Sequence, residues 1–245
     1  MRVTGDHVMP PDNPPPTPQT LTLQQAIDLA VHHHTADEFT EAESIYRQIL
    51  EAYPDQPQAL HLLGVIAHQR GENEQAADLI EKALSIKPDY SEAHCNLGVA
   101  LGELGRFEKA VFCYRKALYL KPDFAEAYSN LGGALTELGK FDEAVVNYHK
   151  ALSTKSNFAE AHYNLGNALK GLGKLDESIG SYRKALSIRP NYASAYNNLA
   201  NAHQDQGRVD EAIKQMDMAL SYKPGNAGWR IRRALFLPVV PSSQD

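Results

Sequence analysis

The amino-acid sequence predicts an all-α superhelical solenoid made of six helix-turn-helix repeats and a C-terminal capping helix. Proline and leucine each recur every 34 residues, at two different positions of the repeat. A fixed period of this length indicates stacked copies of one supersecondary unit, whose core forms between neighbouring copies. The prolines are Pro54, Pro88, Pro122, Pro190 and Pro224, with Ser156 at the missing copy, and the leucines are Leu29, Leu63, Leu97, Leu131, Leu165 and Leu199.

Each repeat is predicted to contain two helices, as the fourth repeat illustrates. Tyr128, Leu131 and Leu135 recur at the spacing of one face of an α-helix. Gly139 is expected to end this helix, because glycine readily adopts the left-handed conformation that follows helix C-termini. Asp142 then begins a second helix, where its charge suits the helix dipole. Phasing on the prolines gives the repeats 23–56, 57–90, 91–124, 125–158, 159–192 and 193–226.

Small residues recur at three further positions of the repeat, where they are expected to let the two helices approach closely. Glycine inside a helix costs roughly 0.5–1 kcal/mol relative to alanine. Its recurrence therefore indicates that close packing compensates for this cost. The glycines are Gly64, Gly98, Gly132 and Gly166, and the alanines are Ala42, Ala76, Ala110, Ala144 and Ala212 at one position and Ala83, Ala117, Ala151, Ala185 and Ala219 at another.

This combination of leucine, glycine, alanine, tyrosine and proline resembles the tetratricopeptide repeat (TPR) over residues 23–226. The resemblance implies a right-handed superhelix in which the first helix of each repeat lines a concave groove. The pattern is broken at Ser156, at Ser178 and in the first repeat, where Ala30 and Asp37 replace glycines. We therefore expect the first repeat to be loosely packed or to act as a capping repeat.

The segments that flank the repeats differ from them in composition. Residues 1–22 are expected to be disordered, because six prolines fall between positions 10 and 18 and keep the chain extended. Residues 227–245 are expected to form a capping helix, from Ala227 to Leu237, followed by a tail, since an open solenoid end would expose apolar surface. The N-terminus lacks the apolar segment of a secretory signal, which favours a cytoplasmic location.

Composition and charge argue against several classes of function. The net charge of −6 disfavours nucleic acid as a partner, because phosphate binding needs a basic surface. Hydrophobic residues make up 43% of the chain, yet no run of 18 apolar residues occurs, so membrane insertion is not expected. No nucleophile motif, phosphate-binding loop or carboxylate pair stands out from the repeat pattern. The sequence predicts no catalytic residue and no cofactor.

Cysteine and histidine do not form a convincing metal-binding pattern. Cys95 and Cys113 lack a metal or redox spacing and are expected to be reduced thiols. The histidines at 32–34 are consecutive, so they point in different directions around a helix. The last of them shares a repeat position with His68, and His61 is expected nearby. A metal site in the groove is therefore an alternative, though not the favoured one.

The implied groove face carries a row of asparagines, although asparagine is a mediocre helix former. One interpretation is that duplication of the repeat copied a solvated residue. The other is that the amides, which each offer a donor and an acceptor, hydrogen-bond the backbone of an extended partner peptide. The candidate partner-binding residues are Asn96, Asn130, Asn164 and Asn198 at the sixth position of the repeat, with Asn167 and Asn201 at the ninth.

This row resembles the TPR region of O-linked N-acetylglucosamine transferases, which use it to hold protein substrates. The stretch Arg230–Val240 also resembles the junction with the catalytic region in the SPINDLY-like bacterial group. The resemblance implies the substrate-recognition region of a glycosyltransferase whose catalytic domain is absent from this chain.

The main prediction is a non-catalytic protein–protein interaction scaffold that holds an extended partner segment in its groove. A basic clamp for a terminal carboxylate is not favoured, because glutamates occupy the second position of three repeats, at Glu92, Glu126 and Glu160. The same glutamates disfavour an RNA-binding array. Self-association through an open end or the convex surface stays open, since the sequence gives no stoichiometry.

Overall fold

The computed structural model describes residues 21–235, and every regular element within them is an α-helix. The predicted disordered segment lies outside this range except for its last two residues, as does the tail after Leu235. The first helices of the repeats are α1 (Leu23–Thr35), α3 (Pro57–Gln69), α5 (Ser91–Glu103), α7 (Ala125–Glu137), α9 (Ala159–Gly171) and α11 (Ala193–Asp205). The second helices are α2 (Phe39–Ala52), α4 (Asn73–Ile86), α6 (Phe107–Leu120), α8 (Phe141–Thr154), α10 (Leu175–Ile188) and α12 (Val209–Tyr222), and α13 (Ala227–Leu235) follows them.

The helices stack in chain order. Each first helix packs against the second helix that follows it, and each second helix packs against the first helix of the next repeat. Successive first helices, such as α7 and α9, also contact each other, which places them on the inner side of the array. The predicted all-α superhelical fold is therefore confirmed. Within residues 21–235 no helix has the length and apolar character that crossing a bilayer requires.

The turn inside each repeat depends on a residue in the left-handed conformation. Gly139 has φ of 71°, and the glycines at the same position in four other repeats have φ between 70° and 80°. The chain then reverses, and the Lys140 amide donates to the Leu135 carbonyl at 2.8 Å. In the first repeat Asp37 adopts φ of 60°, so an L-residue takes the place of the glycine. The substitution at Asp37 therefore keeps the turn of the other repeats.

Glycine on the first helix makes room for an aromatic ring on the second. A Cβ atom built on Gly132 would lie 2.8 Å from the Tyr148 ring, and one on Gly166 would lie 2.5 Å from the Tyr182 ring. Real Cβ atoms do not approach other atoms this closely, so these positions favour glycine. Ser178, which replaces alanine in the fifth repeat, is fully buried and donates to the Gly166 carbonyl at 2.8 Å. Its hydroxyl is therefore satisfied inside the core.

The recurring leucine of the first helix is buried wherever a repeat precedes it. Leu131 is 4% exposed and Leu199 is 2% exposed, whereas Leu29 is 39% exposed. The difference arises because the second helix of the preceding repeat covers this leucine, and no helix precedes α1 within the described residues. This array has the nearest-neighbour core expected of a solenoid.

Helix α13 covers the far end of the array. It packs against α12, and its Trp229 joins the cluster formed by Ala200, Met216 and Ala219. The predicted C-terminal helix is therefore present, and its described part ends at Leu235.

Candidate functional site

The inner face of α5, α7 and α9 contains a cavity of about 500 Å³. We call it the central cavity. Asn130, Asn164 and Asn167 line it, so three of the six predicted partner-binding residues lie around one concave space. Glu103 and Glu137 line it as well, and among residues 21–235 no lysine, arginine or histidine does. The cavity therefore offers amides and carboxylates to a ligand.

Asparagines at the sixth position of the repeat contact the preceding repeat, which the sequence did not predict. The Asn96 Nδ2 donates to His61 Nε2 at 2.9 Å, and the Asn198 Nδ2 donates to the Tyr163 hydroxyl at 3.0 Å. The Asn130 Nδ2 makes a longer contact of 3.9 Å with the Cys95 sulfur. All four side chains of the row are half-buried. The solvated-residue interpretation therefore does not describe Asn96 or Asn198, whose amides link two repeats.

The two asparagines at the ninth position are hydrogen-bonded too. The Asn167 Oδ1 accepts from the Tyr182 hydroxyl and from Asn198 Nδ2, both at 2.8 Å. The Asn201 Oδ1 accepts from Arg232 of α13 at 2.9 Å. These contacts fix the orientation of the two amides.

Asn164 differs from the other members of the row. It lines the central cavity, and its side chain forms no hydrogen bond with any other described residue. The Asn130 amide oxygen and the Asn167 amide nitrogen also make no hydrogen bond within residues 21–235, so the cavity presents one complete amide, one amide oxygen and one amide nitrogen. These groups retain their capacity to bind a ligand.

The residues that receive the amides occupy the fifth position of the preceding repeat. The donor and its partner are separated by 35 residues in each of three pairs, Asn96–His61, Asn130–Cys95 and Asn198–Tyr163. Arg232 repeats this separation in its contact with the Asn197 Oδ1, at 3.4 Å. Only the fixed separation between the two positions could have revealed these partners, because the fifth position varies from histidine to cysteine to tyrosine.

His61 is held as a neutral ring. Burial lowers its pKa to about 4, and its exposed fraction is 3%. Its Nε2 accepts from Asn96, so its Nδ1 carries the hydrogen and donates to the Tyr90 hydroxyl at 2.9 Å. His61 therefore joins α3 to α5 and to the residue before α5.

The glutamates at the second position of the repeat do not line the central cavity. Glu126 lies 2.8 Å from the Lys155 ammonium, Glu92 lies 3.2 Å from Lys121, and Glu160 pairs with Arg189. The hydrogen bond from Lys155 lowers the pKa of the Glu126 carboxyl. Each negative charge is thus paired with a cation of its own repeat.

The acidic charge of the central cavity comes instead from Glu103 and Glu137, near the ends of α5 and α7. Both are exposed, and neither forms an ion pair with a described residue. These two residues cannot be recognised from the sequence, because glutamate near a helix end is common on any solvated surface. Only the assembled groove distinguishes them.

The cysteines are buried thiols. Burial raises the pKa of Cys95 to about 12 and that of Cys113 to about 11, so both stay protonated at neutral pH. The two are not joined by a disulfide. Within residues 21–235, no three His, Cys, Asp or Glu side chains cluster in a way that would hold a metal ion.

Comparisons with known families agree with this geometry. Models described as tetratricopeptide repeat match residues 27–91, 91–124, 113–146 and 193–222, and one described as TPR repeat matches 132–173 and 166–207. Together these matches run from residue 27 to residue 222. The chain is a TPR protein. Comparison with curated protein sequences gives no match.

Several solved structures resemble this one. MamA is 28% identical, with a TM-score of 0.61, and the match covers 68% of this TPR protein and 97% of MamA. PilW, a type IV pilus biogenesis factor, is 21% identical, with a TM-score of 0.78 and coverage of 86% and 97%. YrrB, described as a TPR protein with an unusual peptide-binding site, is 19% identical, with a TM-score of 0.62 and coverage of 77% and 97%. PilW and YrrB support the fold alone.

Proposed function

We propose that this TPR protein is a non-catalytic scaffold that binds an extended segment of a partner protein in its concave groove. The observation that carries the proposal is the central cavity, where Asn130 and Asn164 present hydrogen-bonding groups that no other described residue uses. TPR arrays serve as protein-binding modules, and a cytoplasmic location stays a prediction.

The chemistry of the cavity suits a peptide backbone. An amide can donate to a carbonyl and accept from an N–H, so it pairs with a peptide group whatever the side chains. Asn164 keeps both capacities, whereas Asn167 has its oxygen occupied by two donors. We therefore assign the direct contacts to Asn130 and Asn164, with Asn167 beside them.

The remaining members of the row have a supporting part in this proposal. Asn96 and Asn198 use their donors to join neighbouring repeats, and Asn201 accepts from α13. These bonds keep the first helices in a fixed register. Within residues 21–235 the Asn96 amide oxygen accepts no hydrogen bond.

Isothermal titration calorimetry tests the proposal with peptides selected on the full chain from a random-sequence library. We expect Asn130→Ala/Asn164→Ala to weaken binding at least about tenfold, which corresponds to roughly 1.4 kcal/mol. The melting temperature should change little, because neither side chain has a strong internal hydrogen bond. Asn147→Ala is the matched control, since Asn147 bonds to the Glu143 carbonyl on the second helix α8. Equal affinity for the double variant and the wild type would contradict the proposal.

A second candidate is the substrate-recognition region of a glycosyltransferase. This candidate is supported by the resemblance of the asparagine row and of Arg230–Val240 to O-linked N-acetylglucosamine transferases. The described part of Arg230–Val240 lies in α13. The gene sequence separates the candidates. A reading frame that continues beyond Asp245 into a nucleotide-sugar transferase domain supports the second, and a stop codon there removes it.

A further inference from the structure

Two glycines lie on the lining of the central cavity. Gly102 is on α5 and Gly133 is on α7. A Cβ atom on Gly102 would meet no atom within 4 Å, and one on Gly133 would meet only the Tyr148 hydroxyl at 3.9 Å. Unlike Gly132, these glycines therefore make no room for a neighbouring side chain of the fold. The space in front of them is open to a ligand.

Other repeats fill the position of Gly133 with larger residues. Val31, Val65 and Val99 occupy it in the first three repeats, and asparagine occupies it in the last two. The recess is therefore a local feature of the fourth repeat rather than a property of every groove position. At this position the fourth repeat has no side chain.

The recess is lined by hydrogen-bond acceptors and also by donors, among them the Asn164 amide and the Ser129 hydroxyl. Glu103 and Glu137 supply carboxylates without an ion-pair partner in the described range, and Asn130 supplies an amide oxygen. Val99 and Phe107 supply apolar surface beside them. A long side chain with an apolar stem and a cationic, donor-rich head would satisfy both kinds of surface.

The same groove already binds such a side chain two repeats further along, in the sixth repeat. Arg232 of α13 lies one repeat length after Asn198 and donates to the amide oxygens of Asn197 and Asn201, at 3.4 and 2.9 Å. The fifth and ninth positions of a repeat can therefore receive a guanidinium group. In the fourth repeat these positions are Ser129 and Gly133, and the residue two repeat lengths before Arg232 is Asn164, whose side chain lines the cavity.

We infer that the central cavity binds one arginine side chain of the partner segment, with its guanidinium between Glu103 and Glu137. Guanidinium carries five N–H donors and no acceptor, so it matches a recess lined by carboxylates and amide oxygens. That the arginine belongs to a peptide rests on the proposed function. The recess itself does not depend on it.

Nuclear magnetic resonance with Nα-acetyl-L-arginine N-methylamide tests the inference, because it detects weak binding of a single residue. Titrated into the full chain, this compound should shift the side-chain amide signals of Asn130 and Asn164. The citrulline counterpart has nearly the same shape without the charge, and we expect it to bind at least about tenfold more weakly, a difference of roughly 1.4 kcal/mol.

Two variants locate the binding. Glu103→Gln/Glu137→Gln should remove the preference for arginine over citrulline, and Gly133→Val should abolish both sets of shifts by filling the recess with the residue found at Val99. Glu108→Gln/Glu177→Gln changes the net charge equally at the starts of α6 and α10 and should leave the preference intact.

The outcomes distinguish this inference from the proposed function. Equal shifts with arginine and citrulline, or no shifts at all, would overturn the arginine assignment even if selected peptides still bind through Asn130 and Asn164. Conversely, arginine binding that depends on Glu103 and Glu137 would uphold the inference even if no extended peptide is captured.

Discussion

Single residues on the inner helices have different roles although they stand next to each other in the sequence. Gly132 faces the Tyr148 ring, and Gly133 faces the central cavity. The first is required by packing, and the second leaves space for a ligand. The same distinction separates Asn198, whose amide joins two repeats, from Asn164, whose amide has no partner in the described range.

Substituting each glycine by alanine should change the free energy of unfolding in opposite directions. Gly132→Ala places a Cβ against the Tyr148 ring and should cost about 1–3 kcal/mol, the range for overpacking a core. Gly133→Ala meets no clash and should gain about 0.5–1 kcal/mol, since glycine is the poorer residue inside a helix. Urea denaturation followed by circular dichroism measures both. A loss of stability in Gly133→Ala would show that the recess is not open.

At the scale of helices, the polar contacts on the inner face fix how one first helix sits on the next. His61 on α3 connects to Asn96 on α5 and to Tyr90 just before α5. The arrangement requires a neutral ring, because Nε2 accepts a hydrogen from the Asn96 amide. Protonation would replace that acceptor with a donor.

We expect this contact to make stability depend on pH. Burial lowers the pKa of His61 to about 4, against an ordinary value of 6.5, so between these limits the unfolded chain binds a proton that the folded chain does not. The contribution of His61 to the free energy of unfolding is fully present above pH 6.5 and is lost as the pH falls towards 4. The nearby Glu92 carboxylate raises the pKa and His34 lowers it, and burial outweighs both.

The measurement compares the wild type with His61→Gln in urea at pH 7 and at about pH 4.5. The wild type should lose about 2–3 kcal/mol more than the variant between the two conditions. His149→Gln removes an exposed histidine from α8 and should behave as the wild type does. Parallel losses in the wild type and His61→Gln would contradict the role assigned to His61.

At the scale of the whole molecule, stability should be spread unevenly along the array. A solenoid gains its stability from contacts between neighbouring repeats, so its interior is supported on two sides and its ends on one. Leu29 and Leu131 occupy the same position of the repeat, but their exposed fractions are 39% and 4%.

The same truncation at these two leucines should therefore have different costs. Leu131→Ala should lower the free energy of unfolding by about 2–5 kcal/mol, because it hollows the interior between repeats. Leu29→Ala should cost under about 1 kcal/mol, since little apolar surface is buried there. Urea denaturation of the two variants provides the test. Equal costs for the two variants would mean that Leu29 on α1 is buried as deeply as Leu131 on α7. A cost below about 0.5 kcal/mol for Leu131→Ala would contradict the phasing of the repeats.

Periodicity explains how far the sequence could predict this molecule. The helices, the glycine turns and the buried leucines repeat at one interval, so each copy supports the interpretation of the others. The central cavity could not be predicted in this way, because it arises where Gly133 departs from the valines and asparagines at the same position. The pairing of Glu126 with Lys155 was also missed, since it depends on how the end of one helix meets the start of another within a repeat.

The recess lies at Gly133 because the fourth repeat carries glycine at its ninth position. Its place along the array is therefore set by one residue and not by the packing of the helices. The substitutions Asn167→Gly and Gly133→Val together would move the recess by one repeat along an unchanged scaffold, to a place where Gly171 stands instead of the second glutamate. Duplication or loss of a single repeat would shift it relative to either terminus in the same way. Related arrays could thus differ in the distance along the groove between the recess and the other ligand contacts while keeping the same fold.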